Sequence, residues 1–256
     1  MIQLLYGDCL KLMFDLPDNS VDMVCCDMPF GTTACHWDSV LPLDMIWYHY
    51  KRICKDNGAI VLNASQPFTT DLINSNRKWF KYCWVWEKDK PNNFALANKQ
   101  PMKYHEDVVI FYEKQPTYNK QMIPRSEGGK SRCAYVVDHS NRKMQGVNLD
   151  DSLKNGESHY CPEMKNPSTI IFHNTGRRQD SSHPTQKPVA LIEYLIKTYT
   201  NKGDTVLDNC MGSGTTGVAC QNLNRNFIGI ELDDKYFQIA KERIEATETG
   251  PELETA

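Results

Sequence analysis

Two short segments of the chain have residue types that could act together on a small organic ligand. The first is Asp27-Met28-Pro29-Phe30, which directly follows the apolar run 21–26. A carboxylate accepts hydrogen bonds from N–H groups, a proline stiffens the turn, and a phenyl ring offers a face for stacking. At the end of a buried strand, this combination would bind a flat ring that carries an amine.

The second segment is a glycine-rich turn after the apolar stretch 205–209. Gly212-Ser213-Gly214-Thr215-Thr216-Gly217 matches the G-x-G-x-x-G fingerprint at every position. The glycines let a ligand approach the backbone closely, and the helix after such a turn presents free N–H groups. Glu231 ends the next apolar run, where its carboxylate can accept both hydroxyls of a ribose. The pattern predicts a nucleoside ligand, and it fits nicotinamide cofactors and S-adenosylmethionine alike because both contain adenosine.

Two observations favour S-adenosylmethionine over a nicotinamide cofactor. Dinucleotide-binding chains usually open with the fingerprint, whereas five predicted strands precede it here. Nothing around Asp27 resembles a site for hydride transfer, whereas its carboxylate and the neighbouring ring suit an amino group. A nicotinamide-dependent oxidoreductase remains the alternative at this point.

Composition limits the class of protein. The chain has 256 residues, of which 40% are hydrophobic, so it can form one large domain with a full core. Its formal net charge of −3 argues against a nucleic-acid-binding protein that is basic over its whole surface, but it permits a local basic face. The ten cysteines include no Cys-x-x-Cys pair, so we expect no metal site and a reducing cytoplasm. We also expect no secretory signal and no membrane span, because the required apolar runs are missing.

Short apolar runs alternate with helical patterns, which is typical of an α/β fold with a mostly parallel, doubly wound sheet. The predicted strands are 2–6, 21–26, 59–64, 81–87, 107–112, 205–209 and 226–231. Apolar residues at helical spacing predict helices over 43–53, from Pro188 to Tyr199, after Gly214, and from Asp234 to Ile244. Because Asp27 and the glycine turn both follow strands of this sheet, we expect their two crevices to open side by side.

Residues 114–181 interrupt this pattern and form a predicted insertion. The segment contains eleven Lys or Arg against seven Asp or Glu, whereas the rest of the chain is acidic. A solvated insertion would have this composition, and so would a surface that contacts an anionic polymer. The candidate contact residues are Arg125, Lys130, Arg132, Arg142, Lys143, Arg177 and Arg178.

Two further segments are predicted to be irregular. Residues 88–94 form a polar loop that leaves a strand end, and Lys90 and Phe94 are its candidate contacts with a nucleic acid. Residues 247–256 form a polar tail that we expect to be frayed.

The order of the segments resembles that of amino-methylating DNA methyltransferases of the permuted β class. In that family the catalytic tetrapeptide comes first, a recognition insertion follows, and the cofactor turn comes last. Here Asp27–Phe30 is followed by 114–181, by His183-Pro184-Thr185-Gln186-Lys187-Pro188, and by Asp208–Gly217. The resemblance identifies 1–113 and 182–246 as the catalytic domain, and it implies a Rossmann-like methyltransferase fold that uses S-adenosylmethionine.

The resemblance also implies roles for individual residues. Asp27, Met28, Pro29 and Phe30 match the catalytic tetrapeptide, with Met28 at the position that the family usually fills with proline. Residues that match the family's cofactor-binding positions are Asp8 at the adenine ring, Thr185 and Lys187 at the methionine end, Asp208, Gly212, Ser213, Gly214 and Thr215 in the turn near the sulfonium, and Glu231 at the ribose.

The implied reaction is methyl transfer to the exocyclic amine of a flipped-out base. Aspartate rather than serine at position 27 resembles adenine-N6 enzymes, so adenine N6 is the predicted acceptor and cytosine N4 the near alternative. An inactive DNA-binding protein, or an enzyme that acts on RNA or on a protein glutamine, is a more distant alternative. The implied partners are double-stranded DNA, a second copy of the chain and a cognate restriction endonuclease, for a bacterial or phage-encoded enzyme in the cytoplasm.

Overall fold

An eight-stranded sheet connects most of the chain. The structure is a computed structural model that describes residues 1–31, 39–130, 163–175 and 186–247. Within those residues the strands in chain order are β1 (Ile2–Tyr6), β2 (Val21–Cys26), β3 (Cys54–Ala64), β4 (Phe80–Asn92), β5 (Lys103–Phe111), β6 (Ile123–Pro124), β7 (Met164–Lys165), β8 (Ile170–Phe172), β9 (Thr205–Asp208) and β10 (Asn226–Glu231). The main sheet has the spatial order β1-β10-β9-β2-β3-β5-β4-β8, and β6 pairs with β7 separately.

Helices lie between these strands. Their bounds are α1 (Cys9–Leu12), α2 (Leu43–Ile53), α3 (Phe68–Ser75), α4 (Val189–Tyr199), α5 (Thr215–Asn222) and α6 (Asp234–Glu245), with short 3-10 helices at Met13–Asp15 and Phe94–Leu96. Carboxylates begin two of them, because Asp8 accepts a hydrogen bond from the Leu10 N–H and Asp233 accepts one from the Tyr236 N–H.

Strand direction in the main sheet is nearly uniform. β1, β10, β9, β2 and β3 pair in parallel in that order, and β4 pairs in parallel with β8. Among the eight described strands of this sheet, β5 runs in the opposite direction, since it pairs antiparallel with both β3 and β4. This arrangement confirms the predicted α/β fold with a mostly parallel sheet.

The two faces of the sheet bury separate apolar clusters. Side chains alternate along each strand, so Val24 and Cys26 of β2 join one cluster, while Met23 and Cys25 join the other. The first cluster is completed by α1, α2 and α3, and the second by α4, α5 and α6. Helices therefore cover both faces, which explains why the parallel strands read as nearly continuous apolar runs.

The chain divides into two compact units. The larger unit comprises Met1–Asn119 and Thr169–Ala256, and the smaller one comprises Lys120–Ser168. In the smaller unit Arg125 Nε donates to the Met164 carbonyl at 2.7 Å, and Lys130 Nζ lies 2.6 Å from a Glu163 carboxylate oxygen. The predicted insertion, 114–181, has different limits, because β8 lies inside those limits and yet pairs with β4 of the main sheet.

Most predicted strands agree with the structure, but β3 is longer than predicted. The predicted strand began at residue 59, after Asp56-Asn57-Gly58, which are residue types that favour turns. In the structure β3 begins at Cys54, and its pairing with β2 shifts register between Val21 and Met23. The turn-like residues therefore form an irregular part of the strand. The sequence patterns also missed α1 and α3, which are too short to show a clear helical period.

The polar loop predicted at 88–94 is wrong over its first five residues. β4 continues to Asn92, which pairs with Lys103 at the start of β5. Charged residues resemble a loop in sequence, but Lys88 is buried inside the sheet because Glu106 neutralises it at 2.7 Å. Within the part of the chain that the structure describes, no helix has the length and apolarity needed to cross a bilayer.

The close packing of α5 on α6 and β10 predicts the effect of a single added methyl group. A Cβ atom at Gly217 would collide with Ile244 Cδ1 and lie 2.8 Å from Phe227 Cε1. Greater helix propensity would stabilise Gly217→Ala by about 1 kcal/mol, but overpacking of a rigid core costs about 1–3 kcal/mol. We expect a net loss of stability in urea denaturation, and Ile244→Val in the same chain should recover part of it. A stabilised Gly217→Ala variant would contradict the packing described here.

Candidate active site

The tetrapeptide Asp27–Phe30 and the glycine turn follow neighbouring strands at the same edge of the sheet. β2 and β9 pair in parallel, with Val24 opposite Leu207. Asp27 follows β2 and Asp208 ends β9, so both carboxylates lie at the carboxyl edge of the sheet. The next helix after β2 is α2, which packs on one face, whereas α5 follows β9 and packs on the other. Neighbouring strands whose helices diverge in this way open a crevice between them, where α/β proteins bind ligands.

Asp27 is held by a lysine from the segment before α4. Lys187 Nζ donates to Asp27 Oδ2 at 2.6 Å, and its side chain is only 9% exposed. The same ammonium lies 3.4 Å from Glu106 Oε2 and 5.8 Å from the centre of the Phe30 ring. Burial alone would lower the pKa of Lys187, but Asp27 and Glu106 together raise it above its ordinary value. Lys187 is therefore a buried cation in direct contact with the tetrapeptide.

Glu106 connects Lys187 with a second buried lysine. Its other carboxylate oxygen, Oε1, accepts a hydrogen bond from Lys88 Nζ at 2.7 Å. Burial would raise the pKa of Glu106, but Lys187 and Lys88 outweigh it and lower the pKa below its ordinary value. Glu106 is consequently ionised, and it supplies a second negative charge for Lys187.

Aromatic packing fixes the rest of the tetrapeptide. The Phe30 ring stacks on Phe68 of α3, with 5.2 Å between centroids and 25° between planes. Met28 turns its side chain into the core, where only 2% of the residue is exposed. Tyr50 of α2 lies beneath both segments, since its hydroxyl donates to Asn209 Oδ1 at 2.6 Å and lies 3.9 Å from Met28 Sδ. Tyr50 thus connects the tetrapeptide with the end of β9.

Glycines shape the turn between β9 and α5. Gly212 and Gly214 have φ angles of 52° and 78°, a region that residues with a side chain rarely adopt. A Cβ atom at Gly214 would lie 2.9 Å from Ala240 Cβ, so α6 also requires a glycine there. Around Gly212, by contrast, a Cβ atom would meet nothing within 4 Å among the described atoms. The turn is therefore tightly packed on one side and open on the other.

Asp208 stabilises the turn from inside. Its Oδ2 accepts from Thr216 Oγ1 at 2.6 Å, and its Oδ1 accepts from the Cys210 N–H at 3.1 Å. Burial raises the pKa of Asp208 to about 7, although these donors oppose the increase. This carboxylate therefore titrates near neutral pH and shapes the backbone that borders the crevice.

Glu231 and Asp8 bring two more carboxylates to the edge of the sheet where Asp208 lies. Glu231 Oε2 accepts from the Gly212 N–H at 2.8 Å, and Oε1 accepts from the Asp233 N–H at 2.8 Å. Burial raises the pKa of Glu231. β1 brings Asp8 beside it, because Tyr6 pairs with Glu231 and Gly7 donates to the Glu231 carbonyl. Glu231 and Asp208 thus end the adjacent strands β10 and β9, and Asp8 follows β1, the next strand beside β10.

Ser213 and Thr215 complete the turn. The Ser213 hydroxyl donates to Gln186 Oε1 at 3.1 Å and accepts from Arg243 Nη1 at 2.9 Å. Thr215 is buried at the start of α5. In the described residues, no group of three or more His, Cys, Asp and Glu side chains is arranged to hold a metal ion. Carboxylates and backbone N–H groups of this kind suit a ligand with hydroxyl donors and a positive charge.

The structure brings most predicted site residues to one edge of the sheet. Lys187 was predicted at the methionine end of a cofactor, and its ammonium contacts Asp27. Thr185 lies outside the described residues. Sequence reasoning missed the contacts that several side chains make at this site: Tyr50, Lys88, Glu106, Gln186, Asn209 and Arg243.

The predicted nucleic-acid contacts lie in several places. Lys90 is exposed near the end of β4, and Phe94, 69% exposed, begins the 3-10 helix that follows. Arg125 and Lys130 belong to the smaller unit. Outside the described residues are Arg132, Arg142, Lys143, Arg177 and Arg178.

Comparisons with known proteins agree with this architecture. The family N6_N4_Mtase, described as DNA methylase, matches residues 21–242. The Type II methyltransferase M.HpaI of Haemophilus parainfluenzae is 26% identical over 267 residues, which cover 97% of this chain and 76% of the relative. The crystal structure of the M1.HpyAVI–SAM complex has a TM-score of 0.63 at 25% identity, covering 95% of this chain and 99% of that one. PvuII DNA methyltransferase, described as cytosine-N4-specific, shares the fold with a TM-score of 0.65 at 14% identity, covering 100% and 88%.

The raised pKa of Asp208 predicts a pH-dependent stability. Because the folded protein binds this proton more tightly than the unfolded chain, stability present near pH 4 falls as the pH rises towards about 7. Asp208→Asn removes the titration and retains an acceptor for the Cys210 N–H. The melting temperature of the wild type minus that of Asp208→Asn should therefore decrease between pH 4 and 7 and then level off. A difference that is independent of pH would show that Asp208 is ionised at ordinary pH values.

Proposed function

Since the chain belongs to the N6_N4_Mtase family of DNA methylases, we propose that it methylates the exocyclic N6 of adenine in double-stranded DNA. The observation that supports this proposal most strongly is the position of Asp27. Its carboxylate follows β2, next to the strand that carries the glycine turn, at the point where the sheet opens. An acceptor for amine hydrogens and a nucleoside-binding turn therefore share one crevice.

The cofactor is S-adenosylmethionine, which supplies an electrophilic methyl group on a cationic sulfur. The carboxylates at this edge fit the ligand, because Glu231 can accept from ribose hydroxyls and Asp8 follows the neighbouring strand, β1. Gly212 leaves the turn open on its ligand side, and the ionised form of Asp208 would favour a nearby positive charge. Thr185 remains a proposed contact of the methionine end, and Ser213, Gly214 and Thr215 remain proposed parts of the cofactor turn. The SAM complex of M1.HpyAVI supports the assignment.

The tetrapeptide has the groups that an amine acceptor requires. Asp27 and the Met28 carbonyl would accept the two amine hydrogens, which directs the nitrogen lone pair away from the ring and stabilises the positive charge that develops there. Phe30, supported by Phe68, would stack on the base and offset part of the few kcal/mol that base flipping costs. A strong base is unnecessary, since the methylated ammonium is far more acidic than the starting amine. Orientation in the crevice supplies much of the remaining acceleration.

Aspartate at position 27 supports adenine as the acceptor base. A carboxylate carries a full negative charge towards the developing ammonium, whereas the serine of many cytosine-N4 enzymes contributes only a neutral hydroxyl. The likeness to the cytosine-N4-specific PvuII enzyme concerns the fold alone, at 14% identity. Cytosine N4 is therefore the alternative acceptor, and the identity of the methylated nucleoside distinguishes it from adenine N6.

The remaining assignments concern partners. We propose that residues 114–181 form the target-recognition region, with Arg125, Lys130, Arg132, Arg142, Lys143, Arg177 and Arg178 as contacts. Lys90 and Phe94 would contact DNA from the end of β4, where Phe94 is exposed. The Type II methyltransferases among the relatives support a restriction-modification setting with a cognate endonuclease in a bacterial cytoplasm. A homodimer is proposed from the family resemblance.

The direct test is incubation of unmethylated bacterial DNA with the protein and labelled S-adenosylmethionine. Mass spectrometry of the nucleosides should detect N6-methyladenine, and sequencing that detects modified bases should locate it at one recurring sequence. N4-methylcytosine as the product would overturn the adenine assignment. An equilibrium titration in which NAD binds and S-adenosylmethionine does not would favour the oxidoreductase alternative.

Loss of the Asp27 carboxylate should separate chemistry from cofactor binding. We expect Asp27→Ala to reduce kcat by a factor on the order of 10² to 10³ or more, because an acceptor aimed at developing charge is lost. The Kd for S-adenosylmethionine, measured by calorimetry, should change little. Asp56→Ala is a matched control, since that aspartate pairs with Lys114 on the exposed surface. Full activity of Asp27→Ala would contradict the role of the tetrapeptide.

A further inference from the structure

Asp27 is one end of a buried series of four alternating charges. Lys187 joins Asp27 at 2.6 Å and Glu106 at 3.4 Å, and Lys88 joins Glu106 at 2.7 Å. We refer to Asp27, Lys187, Glu106 and Lys88 as the charge series. Their side chains are 28%, 9%, 13% and 5% exposed, so the three that lie behind Asp27 are more deeply buried than Asp27 itself. The four charges sum to zero.

Burial of such a series needs a physical reason. Each buried ion loses several kcal/mol of hydration, and ion pairing often only restores this loss. Lysine is also among the residues that are least often buried unless paired. Replacement of a buried ion pair by apolar residues of similar volume is often neutral or stabilising, so the stability of the core alone does not account for these four charges.

We propose that Lys187 is a positioning residue for methyl transfer, which orients the Asp27 carboxylate through Oδ2 and keeps it ionised, while Glu106 holds the ammonium in place. The inference rests on the proposed function, because it assigns a role within the same site. A carboxylate has about four acceptor sites, so Asp27 can accept from Lys187 and from the substrate amine at the same time.

The electrostatics around Asp27 support this role. Among the described residues, Lys187 contacts Asp27, and Asp208 on β9 and Cys25 and Cys26 on β2 interact with it electrostatically. Glu106 on β5 lies on the other side of Lys187, with Lys88 of β4 behind it. Among these described groups, Lys187 is the cation in direct contact. If its charge is removed, Asp27 loses this cation while the carboxylates of Glu106 and Asp208 remain, so protonation of the Asp27 carboxyl group becomes more favourable. A protonated Asp27 accepts the amine hydrogens poorly.

The charge state of Lys187 excludes a different role. A lysine base must lose its proton near neutral pH, whereas two carboxylates hold this ammonium. Its pKa is raised above the ordinary value by Asp27 and Glu106, despite burial. Lys187 therefore acts through Asp27 and does not take a proton from the substrate amine.

The test compares the pH dependence of kcat in wild type, Lys187→Met and Lys187→Met with Glu106→Gln, using the full chain from pH 5 to 9. In Lys187→Met the acid limb of the kcat profile, where activity falls at low pH, should move to higher pH by about 1–3 units, as expected for loss of a contacting opposite charge. Glu106→Gln removes a nearby negative charge, so in the double variant the acid limb should return part of the way towards its wild-type position. Lys187→Arg should keep the acid limb of the wild type. The control is Lys55→Met, which removes another lysine at 2.6 Å from an aspartate, Asp22, at the start of β2.

A second measurement does not depend on activity. Carbon-13 NMR of aspartate carboxyl groups, with Asp27→Asn to assign the signal, should show Asp27 titrating at higher pH in Lys187→Met than in wild type. An unchanged acid limb and an unchanged Asp27 titration would overturn the proposal, as would loss of cofactor affinity without either shift. If the wild type methylates no DNA, the proposed function fails, and the NMR titration still decides whether Lys187 controls Asp27.

Discussion

The parallel pairing of β2 with β9 is the constraint on which the site depends. It places two segments at one edge of the sheet although they are about 180 residues apart in the chain. Because α2 and α5 pack on opposite faces, the edge opens between these two strands. Tyr50 joins the two segments from the core side, since its hydroxyl donates to Asn209 and contacts Met28. The geometry of the crevice is therefore a consequence of strand order and helix placement.

Electrostatics divide the crevice into two halves. On the β9 side, carboxylates and backbone N–H groups bind each other, and burial raises the pKa of Asp208 to about 7. On the β2 side, Asp27 contacts the buried ammonium of Lys187. Two aspartates at the ends of adjacent strands thus have different surroundings, since Asp208 accepts hydrogen bonds within its own turn and Asp27 contacts a cation.

Much of this architecture could be predicted from sequence, because apolar runs and glycine turns are local signals. β1, β2 and β10 have the predicted limits, and the family resemblance based on Asp27–Phe30 and the glycine turn is confirmed by the match over 21–242. The extension of β4 was missed because the burial of Lys88 depends on Glu106, a partner on another strand. The contact between Lys187 and Asp27 joins residues 160 positions apart, and no local pattern reports such a pairing.

A crystal structure with sinefungin, a S-adenosylmethionine analogue with an amine-bearing carbon in place of the methylsulfonium, tests the central claim most directly. The account predicts that the ribose hydroxyls bind Glu231 and that the amine points from the Gly212 turn across the crevice towards Asp27. A ligand bound at another part of the sheet, or one whose amine points away from Asp27, would contradict it.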